Sequence, residues 1–140
     1  MELALTVENT KQAVSIFNCR NCRLTITGKA NSISLEKCRG VQVAFPSVIS
    51  SISLSDCQDC AFQAFEKLPC VLVDGCLATR CYLPPQGPGA ETEIITAKSM
   101  STTAIVPTPD GEDAVECGIP EQLSSKFKNG KMETNFVVSE

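Results

Sequence analysis

Cysteine is the residue type whose number and spacing most invite a chemical reading in this chain. There are nine, and histidine is absent. Cys19 and Cys22 form one Cys-x-x-Cys pair and Cys57 and Cys60 another, the half-site spacing of a tetrahedral zinc centre. Cys57, however, follows Cys19 by 38 residues. In a stack of coils that is two windings, or roughly 10 Å, whereas every sulfur on one zinc lies ~2.3 Å from it. We therefore expect no metal and no cofactor. The odd count, and a start at Met1-Glu2-Leu3-Ala4 without a basic stretch before an apolar block, point to a reducing, cytoplasmic setting. The cysteines then read as small buried thiols filling the inside corner of each coil, close enough when stacked to oxidise in air. Asp56, Asp59 and Asp74 are the other chemically suggestive group. They sit beside coil corners without a suitable base and read as turn residues, so no catalytic residue and no enzyme activity is expected.

The elements that position these residues follow one rule, a period of 19. Cys19, Cys38, Cys57 and Cys76 are spaced by it. So are Val14, Ile33, Ile52 and Val71, then Ile16, Leu35, Leu54 and Val73, and more weakly Leu24, Val43, Phe62 and Cys81. Ser32-Ile33-Ser34-Leu35 recurs letter for letter as Ser51-Ile52-Ser53-Leu54. A fixed period of this size marks a solenoid. Within each copy the apolar residues alternate, which is strand spacing, and no helical stripe appears. The expected fold is all-β: a parallel β-helix of about six coils, with equivalent residues stacked ~4.8 Å apart, plus a C-terminal hairpin that covers an open edge within the molecule or on a twin.

One domain spans residues 1–140, with coils over 1–111 and a dimerisation hairpin over 112–140. Leu3, Leu5 and Val7 precede Cys22, Leu24 and Ile26 by one period and predict a partial first coil. Coils then begin at Ala13, Ser32, Ser51 and Cys70, and Pro84-Pro85-Gln86-Gly87-Pro88-Gly89 breaks the count before a sixth at Glu93. Gly28, Gly40 and Gly75 supply turns, and Asn18 and Asn31 corners. Ile119 to Leu123 predicts a short helical turn, with Leu123 and Phe127 one turn apart. Lys131 to Val138 predicts a last strand with Met132, Thr134, Phe136 and Val138 on one face. No ladder remains for it in its own chain, and an exchanged terminal strand is a low-cost route to a symmetric dimer.

Net charge is −4. Val14 to Leu83 carries 7 basic and 5 acidic residues, and Pro84 onward 4 basic and 9 acidic. No basic stripe interleaved with aromatics is present, which argues against nucleic acid. The apolar runs are too short to span a membrane.

Lys11-Gln12-Ala13-Val14, Ile16-Phe17-Asn18-Cys19, Gly28-Lys29-Ala30-Asn31-Ser32-Ile33, Ala97-Lys98-Ser99, Ile105-Val106-Pro107, Ile119-Pro120-Glu121-Gln122 and Asn129-Gly130-Lys131 occur in this order. Together they resemble the C-terminal domain of cyclase-associated protein, in a short form consisting of that domain alone. The resemblance implies a right-handed parallel β-helix with a C-terminal strand-exchanged hairpin that joins a dimer, binding to monomeric actin with preference for the ADP form, and promotion of exchange of actin's nucleotide. The implied actin-binding residues are Lys29, Asn31, Lys98, Ser99, Met100, Ser101, Glu121 and Gln122. The implied dimerisation residues are Lys131, Met132, Thr134, Phe136 and Val138. The chain departs from the family at Met100-Ser101-Thr102-Thr103, where Ser-Glu-Met-Asn is usual. Binding to adenylyl cyclase and action on cofilin-decorated filaments are not implied.

Other readings compete. A tubulin-cofactor-C-like GTPase activator would need an arginine in a Gln-x-Arg-x-His phrase; the chain has no histidine and no Gln-x-Arg. A polysaccharide-cleaving β-helix would need convergent carboxylates. A scaffold using only the exchanged strand, without actin, is the remaining alternative.

Overall fold

Alternation with period 2 is written along most of the chain, and the alternating segments become strands. The computed structural model describes residues 1–108 and 111–137. Among these, the strands are β1 (Glu2–Thr6), β2 (Ala13–Phe17), β3 (Arg23–Thr27), β4 (Lys29–Glu36), β5 (Gln42–Ser55), β6 (Gln58–Lys67), β7 (Cys70–Asp74), β8 (Leu77–Tyr82), β9 (Glu93–Ala97), β10 (Met100–Pro107), β11 (Ala114–Gly118), β12 (Gln122–Lys128) and β13 (Lys131–Val137). They wind into a parallel β-helix. One long face stacks β2, β4, the end of β5, β7 and β9; the other stacks β1, β3, the start of β5, β6, β8 and β10. All of these neighbours pair in parallel.

The repeat predicts the register correctly. Val14 stands opposite Ile33, Ile33 opposite Ile52, and Ile52 opposite Val71. Leu24, Val43, Phe62 and Cys81 form the matching row on the second face. These rows line the bore and are almost wholly buried, with Ile52, Val71 and Cys81 at 0% exposure. Each fully buried Val, Leu or Ile contributes roughly 1.5–3 kcal/mol. Phe45 and Phe62 pack against each other inside the bore, their ring centroids 6.2 Å apart.

The structure departs from the 19-residue step at both ends. Leu3 pairs with Leu24 and Leu5 with Ile26, so the first coil is two residues longer than predicted. A shift of two keeps the same side chains inward, but Leu3 and Leu5 stay partly exposed because no coil lies beyond them. After Cys70 the step grows to 23: Val71 pairs with Ile94 and Cys81 with Ala104. The extra four residues lie in the proline-rich loop. Gln86 latches it, donating to Pro84 O at 2.9 Å and Thr92 Oγ1 at 3.0 Å, while Thr92 Oγ1 donates to Leu68 O at 2.6 Å.

One expectation is corrected after Pro107. Ile119 to Leu123 forms no helical turn. β12 runs antiparallel to β13, pairing Leu123 with Phe136 and Phe127 with Met132. Asn129 (φ 51) and Gly130 (φ 77) both sit at positive φ, the two-residue loop that suits the twist of a hairpin; a full-length strand partner just beyond that loop outcompetes an isolated turn of helix. The separate two-stranded sheet is made by β12 and β13. β11 lies antiparallel on β10 and covers that edge of the last coil.

The cysteine column lies along one inside corner. The amides of Arg39, Gln58, Leu77 and Met100 donate to the carbonyls of Cys19, Cys38, Cys57 and Cys76, each at 3.0 Å. The thiols donate weakly to carbonyls on their own coil and the preceding one, as Cys76 Sγ does to Asp74 O and Leu54 O at 3.4 Å each. The Cys60 thiol, hydrogen-bonded to Cys57, pushes Cys57 up to about 11, and burial adds to this. The same bond chiefly lowers Cys60. Cys76 is raised, first by its hydrogen bond with Cys57 and then by burial. Burial pushes Cys81 up to about 12.

Gly28 has φ +96, and a Cβ there would lie 2.3 Å from Val7 O, whereas one at Gly87 would meet nothing within 4 Å. Gly28→Ala should cost more than about 1 kcal/mol and Gly87→Ala be neutral or slightly stabilising, read as urea midpoints. The thiols make a second prediction. Unfolded, Cys57 and Cys81 ionise near the ordinary 9.0; folded, they hold their protons to about 11 and about 12. Unfolding above pH 9 therefore releases protons, so their stabilisation is complete below that pH and lost as pH rises through 11 to 12. The urea midpoint should fall between pH 7.5 and 10.5, and less so in Cys81→Val. Iodoacetamide at pH 8 should label exposed Cys117 well before Cys57, Cys76 or Cys81, as mapped by mass spectrometry.

Candidate functional site

Each coil must change direction between its faces within a few residues, and the backbone does so by stepping into the left-handed region at two places. Asn18, Lys37, Asp56, Gly75 and Lys98 form one column, with φ of 55, 55, 52, 66 and 53. Asn21, Gly40, Asp59, Ala78 and Ser101 form the other, with φ of 51, 66, 53, 60 and 57. Asn, Asp and Gly accept this conformation readily; other residues bear roughly 1–2 kcal/mol. Asp56 and Asp59 are thus turn residues, as their positions predict. The Asn, Asp and Gly at 19-residue spacing were the available sequence signal for both columns. Asn31, by contrast, is extended inside β4.

Lys98 to Ser101 occupies the last corner, between β9 and β10, and both of its left-handed residues are of the costly kind. The block is nonetheless tightly held. Ser99 takes the place in the cysteine column that follows Cys76. Its hydroxyl donates to Ala97 O at 2.9 Å, with Val73 O as a second acceptor at 3.3 Å, and accepts from Cys76 N at 3.1 Å. Met100 N donates to Cys76 O at 3.0 Å. Ser101 N donates to Glu121 Oε2 at 2.8 Å, and Ile119 N to Thr102 O at 2.9 Å. Ser99 and Glu121 are therefore spent on the geometry of the corner, while Lys98 and the Met100 side chain, 57% exposed, project from it. Gln122 follows Glu121 as the first residue of β12.

Lys29 and Asn31 lie elsewhere. Lys29 is exposed at the start of β4, in a row with Ser47 and Lys67. Asn31 is held by the coils on either side: its amide donates to Gln12 O at 2.8 Å, and Ser50 Oγ donates to Asn31 O at 2.9 Å. These two residues sit at the opposite end of the strands of the first face from Lys98. Five residues of strand and three rungs separate the corners, roughly 20 Å. Between them the outward row is Ser15, Ser34, Ser53, Leu72 and Ile95. The structure thus brings Lys98, Ser99, Met100, Ser101 and Glu121 together, and leaves Lys29 and Asn31 at a second post across a flat face.

The hairpin is a separate two-stranded sheet. Leu123, Phe127, Met132 and Phe136 share one face, exposed by 63%, 71%, 63% and 69%. Between them Ser125 and Thr134 are joined by a 3.0 Å hydroxyl contact. Lys131 opens β13 opposite Lys128 and points to the other side. Val138 lies outside the described residues. The spacing of four between Leu123 and Phe127 fits a helix as well as it fits this strand face.

Comparison with known proteins agrees with this architecture. The family model described as adenylate cyclase associated (CAP) C terminal matches residues 1–139. Cyclase-associated protein 1 of Arabidopsis thaliana is 37% identical over 138 residues, covering 97% of this chain and 28% of that protein. The adenylyl cyclase-associated protein of Dictyostelium discoideum is 31% identical over 134 residues, covering 95% of this chain and 28% of that protein. The chain thus spans little more than a quarter of the curated relatives it matches. The crystal structure of cyclase-associated protein from Cryptosporidium parvum superposes with a TM-score of 0.87 at 28% identity, covering 97% of this chain and 83% of that one. A match from end to end of the β-helix and through the hairpin means that this chain belongs to the cyclase-associated protein C-terminal family.

Proposed function

We propose that this chain binds monomeric actin, preferring the ADP form, promotes exchange of actin's nucleotide and so returns monomers to the polymerising pool. It acts in the cytoplasm, as a homodimer joined through its C-terminal strands, and performs no bond cleavage of its own. The observation that carries the reading is the Lys98 to Ser101 corner. It bears two strained residues, fixed by Ser99 and Glu121, and strain of this kind gathers at functional sites. It also keeps a cation and a methionine presented to solvent. Lys29, about 20 Å away, adds a second cation to the same broad face. Lysines placed this way chiefly steer and orient an acidic partner. Exchange follows if the chain binds the open, nucleotide-releasing form of actin better than the closed one, since a partner moves an equilibrium only by its differential affinity. A tenfold shift needs ~1.4 kcal/mol.

The hairpin supports the dimer. A lone two-stranded sheet is marginal in water, and this one exposes four large apolar side chains on one face. Meanwhile β9 is paired only by β7 among the described residues, which leaves an open edge that a second copy's hairpin can cover. The same exposed face also favours the alternative of a dimeric scaffold without actin activity. No helix among the described residues is long and apolar enough to cross a membrane.

Release of a fluorescent nucleotide from ADP-actin, followed as the protein is titrated in, tests the main reading. The rate should rise, and retention on immobilised protein should be stronger for ADP-actin than for ATP-actin. Failure to retain either form favours the scaffold. Lys98→Gly separates contact from folding: it removes the cation but relieves the left-handed strain, so the urea midpoint should hold or rise while the actin effect weakens about tenfold. Lys29→Ala should weaken it without unfolding the domain. For the dimer, sedimentation should give twice the 15.0 kDa chain mass, and Phe127→Ser with Phe136→Ser should give monomers that keep the β-helix circular-dichroism spectrum.

A further inference from the structure

The second long face carries a groove that the proposed actin contacts leave unused. Its outward row runs Arg23, Gln42, Ala61, Arg80 across successive strands, and the next row is Thr25, Ala44, Gln63, Tyr82. Ala44 and Ala61 are too short to fill the space between their longer neighbours, which opens a hollow of about 600 Å³. A second hollow of about 320 Å³ adjoins it towards the N-terminus, sharing Asn21, Arg23, Gly40 and Gln42. Arg23 and Arg80 are exposed and stand three rungs apart, ~14 Å along the helix axis. Arg20 and Arg39, neighbours on adjacent coils, precede Arg23 and Gln42 by three residues.

Two further observations select the ligand. Glu2, from β1, already places its carboxylate 3.6 Å from the Arg23 guanidinium, so one end of the groove receives a carboxylate within the molecule. Arg80 has no such partner among the described residues. Asp59 lines the wall between the two arginines, so negative charge is welcome at the ends and repelled in the middle. Gln42, Gln63 and Tyr82 offer amide and hydroxyl groups to a peptide backbone between them.

We propose that this groove binds an extended acidic peptide segment of a partner protein, with carboxylates four residues apart and uncharged residues between. Residues i and i+4 of an extended chain lie ~13–14 Å apart, which matches the arginine spacing. A nucleic-acid strand fits poorly, because its evenly spaced phosphates would run past Asp59. Glu2 acts as a built-in competitor for the Arg23 end.

The test is titration of the ¹⁵N-labelled chain with acetyl-Glu-Ser-Thr-Ser-Glu-amide, with acetyl-Gln-Ser-Thr-Ser-Gln-amide as control and a five-nucleotide DNA strand as a separate arm. The acidic peptide should shift the amides of Gln42, Ala44, Ala61 and Gln63, and raising salt should weaken it. Arg80→Gln should weaken it at least fivefold with spectral dispersion retained, and Glu2→Gln should tighten it about threefold. Equal binding of the control peptide, binding that survives Arg23→Gln with Arg80→Gln, no tightening in Glu2→Gln, or binding of the DNA but not the peptide would each overturn the proposal. Neither Arg23 nor Arg80 belongs to the proposed actin contacts, so nucleotide release from actin should be the same in both variants.

Discussion

Stacking of like upon like is the constraint from which the rest follows. Each inward side chain rests on the equivalent residue one coil below, so a volume or register error on one coil is felt by both neighbours. Val14, Ile33, Ile52 and Val71 share a row because a one-residue slip would turn a strand's apolar set outward. The same rule explains the composition of the inside corner. Thiols recur there because a small, weakly polar group can fill the bend and point its hydrogen at a carbonyl without demanding water. At the final coil Ser99 does this with a shorter, stronger hydroxyl bond.

The outer surface is free to vary because the bore carries the stability, and the corners are where that freedom is spent. Left-handed residues bring the chain round twice per coil. Most positions in the two columns are Asn, Asp or Gly, which bear the turn at little cost. The last corner instead has lysine and serine at the two left-handed positions. Its geometry is restored by bonds from outside the column, above all Ser101 N to the Glu121 carboxylate. A corner held from both sides fixes the backbone from which Lys98 and Met100 project.

The two edges of the last coil are solved differently. β11 folds back antiparallel onto β10 and closes one edge of the last coil. The β9 edge remains open among the described residues, and the hairpin carries an apolar face that its own sheet does not bury. An open edge and an unburied face on one chain are complementary needs. The two faces of the rod are also unlike. The first is flat, with serines that give way to Leu72 and Ile95; the second is hollowed where Ala44 and Ala61 stand between longer residues. A single solenoid can thus offer unrelated surfaces to separate partners.

The repeat alone determined the strand type, the coil length and the inward rows, because a period of 19 with internal alternation admits few other packings. It also placed Asn18 and the glycines at turns. Other features depended on contacts distant in sequence. The step of 23 after Cys70 rests on Gln86 and Thr92 closing a loop onto Leu68, which no periodicity encodes. Leu123 and Phe127 have a spacing that fits helix and strand alike, and pairing with Phe136 and Met132 decided for strand. Lys29 and Lys98 looked like members of one site in the sequence. The coil geometry set them on separate corners, because residues at opposite ends of the same strand row are held apart by the full width of the face.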